Sequence, residues 1–245
     1  MRKLLNWEIS SFFKDRKFLS FLIMAVLLIA ANIAIAVFSD VDSGQQALGD
    51  AASFNASLLA ILMPVYSGVL IAQSFEQRLV QAEIMSGKKR LSVVVVKSVC
   101  FALLFWLYAI LSTAIVTVVF TVMYGWGGAI PMLSNAGLVL ATVELITLSV
   151  VGFLLVLPIA FSVRKQGATI GIGLAVSLIL QGLTQKLIEY ESLHVYLKLT
   201  PLGRAPFVFL ERSVTQSLIT LAVIVFWTAL FIGLTYAVFR KVELK

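Results

Sequence analysis

Two groups of residues have the types and spacing to do chemistry or bind a partner. The first is a single carboxyl group, Glu144, which lies deep inside an otherwise uncharged apolar stretch. An acidic side chain in such a place is a proton carrier or a substrate contact by default, or else a neutral carboxyl hydrogen-bonded to a neighbouring helix. Both interpretations stay open, because the apolar stretches hold no second acid and no histidine for a proton relay.

The second group lies in the charged stretch between the apolar residues 54–72 and 99–123. We call residues 73–90 of this stretch the knob. The pattern predicts a helical segment from Phe75 to Met85 and a left-handed helix end at Gly87. Glu76 and Glu83 are seven residues apart, which places them on one face of that helix, where they would form ion pairs with nearby cations. A basic turn follows, made of Lys88, Lys89 and Arg90. The knob is either an ordinary basic loop or a surface for a second protein.

The sequence lacks the motifs for ATP binding, for a disulfide, for a metal site and for intramembrane proteolysis. A phosphate-binding G-x-x-x-x-G-K-[ST] motif is absent, so we expect no ATP site, no cofactor and no enzymatic activity of its own. The single cysteine, Cys100, excludes an intrachain disulfide, and the single histidine, His194, has no partners for a metal site. The absence of histidine and aspartate from the apolar stretches argues against an intramembrane protease.

The elements that must position these residues are membrane-spanning helices. The chain is 60% hydrophobic and 13% charged, against roughly 45–50% and 25% in soluble domains, which excludes a water-soluble globule. A helix needs about 20 apolar residues to cross a membrane. Six stretches qualify, and they predict an all-α membrane protein with spans at residues 18–38, 54–72, 99–123, 138–161, 168–186 and 217–239.

Lysine and arginine are distributed unevenly between the loops, which predicts the orientation of the spans. Fifteen of the 19 lie in the N-terminal segment, the loops after the second and fourth spans, and the C-terminal segment, and four lie on the other side. This split places both termini in the cytoplasm. It also indicates that the basic residues behind the net charge of +7 interact with lipid headgroups rather than with nucleic acid.

Two further segments are predicted to be helical without crossing the membrane. Residues 1–17 carry Leu5, Ile9 and Phe12 on one face, which indicates an amphipathic helix in the cytoplasmic interface. The alternative is a plain extension of the first span. Residues 187–216 form an apolar loop on the outer side, for which we expect short helices that pack on the outer leaflet or dip into it.

This arrangement resembles the permease subunits of ABC-2 type ABC exporters. Those proteins have an interfacial N-terminal helix, six spans, a cytoplasmic coupling helix after the second span and an external re-entrant segment before the sixth. Their motif of an acidic residue, a Leu/Ile-x-Ser-Gly-x-x-Arg turn and a lysine is matched by Glu76, Ile84-Met-Ser-Gly-Lys-Lys-Arg90 and Lys97. Arg78-Leu79-Val80 replaces the frequent Gly-Thr, which indicates a divergent branch similar to lantibiotic-immunity and peptide-antibiotic exporters.

The resemblance implies the remaining expectations. A separate ATP-binding subunit, which holds ATP and Mg, would contact Glu76, Glu83, Gly87, Lys88, Lys89 and Arg90. A second permease copy or a related chain would pair with this one in a bacterial cytoplasmic membrane, with Tyr66, Ser67, Gly68, Glu144, Gly171 and Gly173 near the dimer interface or translocation path. The cargo would be hydrophobic or amphipathic, such as an antimicrobial peptide. The alternatives are a non-transporting anchor or sensory subunit and a proton-coupled carrier that uses Glu144.

Overall fold

The chain folds into a bundle of helices in a computed structural model. The structure describes residues 16–39, 41–127, 135–210 and 213–241, and within these ranges every regular element is a helix. Six helices are long and apolar enough to cross a membrane, so the chain is a multi-pass membrane protein. The predicted amphipathic helix at residues 1–17 lies outside the described residues, apart from the two that begin the first span.

The elements are labelled in chain order within the described residues. The six spans are α1 (Arg16–Phe38), α2 (Gly44–Glu76), α4 (Arg90–Tyr124), α5 (Asn135–Val163), α6 (Gln166–Ile188) and α9 (Val214–Arg240). The shorter helices are α3 (Leu79–Met85), α7 (His194–Leu197) and α8 (Pro201–Arg204), with 3-10 turns at Glu191–Leu193 and Ala205–Val208.

The prediction of six apolar helices is confirmed, but two of them begin well before the apolar stretches that predicted them. Helix α2 begins at Gly44 rather than at residue 54, because the Ser43 side chain accepts a hydrogen bond from the Gln46 amide and caps the helix. Helix α4 begins at Arg90 rather than at residue 99. Lys97 therefore lies inside this helix instead of opening it, since the preceding valine run is already helical.

Helices α2 and α5 form the interior of the bundle. More than half of the most apolar part of each is buried within the chain, whereas α1, α6 and α9 leave most of their apolar surface uncovered. Edge-to-face ring contacts join the spans. Phe21 of α1 contacts Tyr66 of α2 and Phe105 of α4, with ring centroids 5.2 and 5.9 Å apart. The surfaces left uncovered are those that lipid or another membrane chain must cover.

Helix α2 changes its hydrogen-bonding pattern in its second half. Pro64 lies inside the helix and has no amide hydrogen to donate. The chain then makes a six-residue π-helix, Ser67–Ala72, before one last α-helical turn, Gln73–Glu76. The Ser67 hydroxyl donates to the Pro64 carbonyl at 2.7 Å. This wider turn sets the direction in which α2 leaves the bundle toward the knob.

Candidate functional site

The knob lies at one end of the bundle, which we call the basic end because Arg78, Arg90, Arg164 and Arg240 lie there at helix ends. Helix α2 stops at Glu76, and Arg78 adopts a left-handed conformation with φ of 57°. This residue turns the chain into α3. The expected single helix from Phe75 to Met85 is therefore wrong, and Glu76 and Glu83 lie on different helices rather than on one face.

Gly87 ends α3 in the predicted way. Its φ is 86°, a conformation that costs glycine little and other residues more. The Gly87 amide donates to the Ile84 carbonyl at 2.9 Å, and the Lys88 amide donates to the Glu83 carbonyl at 3.4 Å. These two bonds form a Schellman motif, which satisfies carbonyls at the end of α3 and leads the chain into α4.

Two charged residues of the knob bind the ends of other spans. The Glu76 carboxylate accepts a hydrogen bond of 3.0 Å from the Gln166 amide, at the first residue of α6. The Arg90 guanidinium donates to the carbonyls of Phe239 and Arg240 at 3.3 and 3.0 Å, in the last turn of α9. An anion at a helix N-terminus and a cation at a helix C-terminus both interact favourably with the helix dipole.

The third charged contact is buried inside the knob. Glu83 is 5% exposed, and its carboxylate lies 3.7 Å from the Lys97 ammonium, which is 9% exposed. The expectation that the acidic residues of the knob form ion pairs is thus confirmed for Glu83. The contact ties α3 to the second turn of α4. Together with the bonds of Glu76 and Arg90, it links the knob to three spans.

The knob also presents a free face of α3. Leu79 is 46% exposed and Met85 is 88% exposed, although both are apolar. Ala82, Ser86 and Lys89 are also exposed, and they continue this face along the helix and into the turn. The residues predicted to contact an ATP-binding subunit therefore fall into two groups, one accessible and one bonded within the chain. Gly87 and Lys89 are on the surface and Lys88 is half-buried, whereas Glu76, Glu83 and Arg90 contact other parts of the chain.

The residues expected near a dimer interface or translocation path do not share one surface. Tyr66, Ser67 and Gly68 are buried, and a side chain at Gly68 would collide with Ile170 of α6. Gly173 faces the same junction, because a Cβ atom there would lie 3.1 Å from the Pro64 Cβ. Gly171 is exposed on the other side of α6. Four of these residues thus fit α2 against its neighbours, and Gly171 alone faces outward.

Glu144 lines a small cavity on the side of the bundle away from the knob. The cavity has a volume of about 10 Å³ and lies between α5, the segment that contains α8, and α9. Its lining residues are Glu144, Arg204, Phe207, Val208, Gln216, Ser217 and Thr220. An acid and a guanidinium therefore line one space, although 59 residues lie between Glu144 and Arg204 in the sequence.

Arg204 is 5% exposed and holds its segment on α9. Its Nε donates to the Thr220 hydroxyl at 2.7 Å, and its Nη2 donates to the Gln216 backbone and side-chain carbonyls, both at 2.8 Å. Its Nη1 donates to the Lys198 carbonyl at 3.3 Å. Sequence reasoning missed this residue and counted it only as a loop cation. Its position between Pro201 and Pro206, in a loop too apolar to be solvated, was the available signal.

The rest of this segment is also packed on the spans. A Cβ atom at Gly152 of α5 would lie 2.6 Å from Leu202 side-chain carbons. The Trp227 indole of α9 donates to the Leu199 carbonyl at 2.8 Å. Gly152 lies roughly 25 Å along α5 from its start at Asn135, and Trp227 roughly 20 Å along α9 from Val214. The segment therefore reaches far along both helices.

The comparisons with known proteins add no relatives to this picture. No protein-family model matches the chain, and no curated protein matches it in sequence. The resemblance to ABC-2 type permeases thus depends on the layout and on the short motif in the knob. Functional conclusions must come from the two places described above, namely the knob and the cavity beside Glu144.

Proposed function

We propose that the chain is the membrane-spanning permease subunit of an ATP-driven exporter of the ABC-2 type, energised by a separate ATP-binding subunit that binds the knob. The observation that carries this proposal is the two-sided construction of the knob. One side is bonded to α4, α6 and α9, and the other side is an exposed apolar and basic face. A loop whose cations served only to orient the protein in the membrane would need those cations, but it would not need the contacts with α4, α6 and α9.

The contacts explain how the knob would transmit motion. A partner seated on Leu79, Met85 and Lys89 would move α3 as it binds ATP. That displacement would pass to α4 through Glu83 and Lys97, to α6 through Glu76, and to α9 through Arg90. The partner surface is therefore the exposed face of α3 with Gly87 and Lys88. Glu76, Glu83 and Arg90 transmit its movement.

The wider assignment follows from the same proposal. The basic end faces the cytoplasm of a bacterial cell, and ATP and Mg bind to the partner subunit. Two permeases, identical or related, pair through apolar surface that α1, α6 and α9 leave uncovered within the chain. The cargo is a hydrophobic or amphipathic molecule, such as an antimicrobial peptide, because the spans offer few polar groups to a sugar or an ion.

The segment before α9 acts in this scheme as the external re-entrant segment. Its contacts with Gly152 and Trp227, roughly 20–25 Å from the outer starts of α5 and α9, support that role. Backbone away from a helix is tolerated at such depth when it is buried against protein, and Leu197, Pro201, Gly203 and Ala205 are buried here.

The experiment that tests the proposal is site-specific crosslinking in cells. A photoreactive amino acid at Met85 should capture a protein with a phosphate-loop ATPase domain, identified by mass spectrometry. The same amino acid at Val195, an exposed apolar residue far from the knob, serves as the matched control and should not capture it. Purified complexes with Met85→Asp should lose the bound ATPase, because a carboxylate would be buried in an apolar contact.

The outcomes separate the competing functions. Capture of a soluble protein without ATPase activity would replace the exporter with a membrane anchor or sensory subunit. Transport that proceeds without any partner and is abolished in Glu144→Gln would replace it with a proton-coupled carrier. The first alternative is favoured by the same exposed face of α3. The second is disfavoured because the described residues that line the cavity with Glu144 include no second acid and no histidine for a proton relay.

A further inference from the structure

The start of α2 is bonded to the turn that ends α4, at the end of the bundle opposite the knob. The first amides of a helix have no acceptor within that helix. Here the Gly44 amide donates to the Gly125 carbonyl at 3.0 Å, and the Gln45 amide donates to the Trp126 carbonyl at 3.1 Å. The turn after one span thus supplies the acceptors that the start of another span needs.

Two glycines permit this close contact. Gly44 lies against the Thr121 side chain, and a Cβ atom on Gly44 would collide with it. Gly127 adopts a φ of 78°, and a Cβ atom on Gly127 would lie 2.5 Å from the Ser43 Cβ. A side chain at either glycine would therefore push the start of α2 and the end of α4 apart.

A side-chain contact attaches α5 to the same place. The Oδ1 atom of Asn135, the first residue of α5, accepts a hydrogen bond of 2.8 Å from Gln45 Nε2 and one of 3.1 Å from the Trp126 indole. Gln45 is 5% exposed, so its hydrogen bond is largely shielded from water and is stronger for that reason. We call the contacts of residues 43–45, 125–127 and 135 the far junction.

Helix α4 is also tied to α2 halfway along the bundle and to α3 at the basic end. The Asn55 side chain, roughly 17 Å along α2 from its start, donates to the Thr113 hydroxyl and accepts from the Ser112 hydroxyl. At the basic end, Glu83 of α3 lies 3.7 Å from Lys97 of α4. Contacts at three depths leave little freedom for α2 or α4 to move without the other.

We propose that the far junction fastens α2 and α4 into one rigid body and attaches the start of α5 to it through Asn135. A displacement of the knob then reaches the opposite end of the bundle, roughly 50 Å away along α2, because both helices move together. The inference concerns the chain alone, and it does not depend on whether an ATP-binding subunit produces the displacement.

Hydrogen–deuterium exchange of the purified chain tests the bonds between α2 and α4. The Gly44 and Gln45 amides should exchange slowly although they begin a helix. Gly127→Ala should accelerate their exchange about tenfold, the factor that corresponds to 1.4 kcal/mol. Gly49→Ala is the matched control, since nothing lies near that position, and it should leave their exchange unchanged. Fast exchange in the unaltered chain, or equal exchange in Gly127→Ala, would overturn the proposal.

Spin labels test the attachment of α5. Gln46, Val122 and Val139 are exposed, so each accepts a label on a cysteine in a Cys100→Ser background. The pair at 46 and 122 reports the distance between α2 and α4, and the pair at 46 and 139 reports the distance between α2 and α5. Asn135→Ala should broaden the second distance distribution and leave the first narrow. Asn135→Asp keeps an acceptor oxygen and should leave both narrow.

The remaining outcomes count against the proposal. A broad distribution between α2 and α4 in the unaltered chain would mean that the two helices move independently, which would exclude the rigid body. A narrow distribution between α2 and α5 in Asn135→Ala would mean that the side chain of Asn135 does not hold α5 at the far junction. Both measurements use the purified chain without a partner, so they fail or succeed separately from the exporter assignment.

Discussion

Two opposite charges at the basic end are buried beside each other on neighbouring helices. Glu83 and Lys97 are almost fully buried, and their charged groups lie 3.7 Å apart. Asn55 gives a neutral example, because its side chain donates to the Thr113 hydroxyl at 3.0 Å and accepts from the Ser112 hydroxyl at 3.2 Å. Polar side chains between spans thus interact with polar side chains of neighbouring helices.

Breaking the buried ion pair from one side should destabilise the protein. Glu83→Gln removes the buried carboxylate that lies 3.7 Å from the Lys97 ammonium, and we expect a loss of about 3 kcal/mol in the free energy of unfolding. The double variant Glu83→Gln/Lys97→Met should recover most of that loss, since both charges of the pair are then removed. Thermal unfolding in detergent measures both. Lys89→Met is the control, because Lys89 is exposed and its change should have little effect.

At the scale of elements, the junction of α2 and α6 depends on one glycine of each helix, which lies against a larger residue of the other helix. Gly68 lies against Ile170, and Gly173 lies against Pro64. The two contacts are on the stretch where α2 passes from α-helix to π-helix. Close approach here determines where the first residue of α6 meets Glu76, so packing within the bundle also sets the geometry of the knob.

Enlarging these glycines should separate the two helices. Gly173→Leu forces a branched side chain against Pro64, and we expect it to cost about 1–3 kcal/mol in stability. Gly171→Leu on the same helix provides the matched control, since nothing lies near that position within the chain. Thermal unfolding of the purified single chain compares the two. Equal losses at the two positions would contradict the prediction, because close packing against Pro64 would then not explain the effect.

At the scale of the whole molecule, the basic end has arginines at four helix ends, namely Arg78, Arg90, Arg164 and Arg240. The distribution of cations predicts that the arginine-bearing end faces the cytoplasm. The structure identifies exposed positions at both ends that can report this orientation. Met85 is 88% exposed at the basic end and Val214 is 80% exposed at the start of α9.

Thiol labelling in intact cells should confirm that orientation. In a Cys100→Ser background, we expect Val214→Cys to react with a membrane-impermeant maleimide and Met85→Cys to react only after the cells are opened. Both positions are better sites for a reporter thiol than two other positions. Ser43 is buried, and the carbonyls of Gln216 accept hydrogen bonds from Arg204. Labelling of Met85→Cys in intact cells would reverse the orientation and place the knob outside.

The number and type of elements could be predicted because hydrocarbon imposes a length and a composition on each span. The ends of the helices could not be predicted in this way, since α2 and α4 include polar residues that lie outside the apolar stretches. The left-handed Arg78 carries no sequence signal, because residues other than glycine adopt that conformation under tertiary constraint. The proximity of Arg204 to Glu144 was equally hidden, as it depends on how a loop folds back along two helices.

The π-helix in α2 holds one more residue than a regular helix would hold between the same two points, because each of its hydrogen bonds closes over one residue more. Deleting one residue within Ser67–Ala72 would let the helix become regular and leave the Glu76 carboxylate near the Gln166 amide. Deleting one residue from the regular part of α2 would instead rotate everything after it by about 100° and shift it by about 1.5 Å. A homologue one residue shorter within the π-helical stretch should therefore keep its acidic residue at the aligned position after the gap.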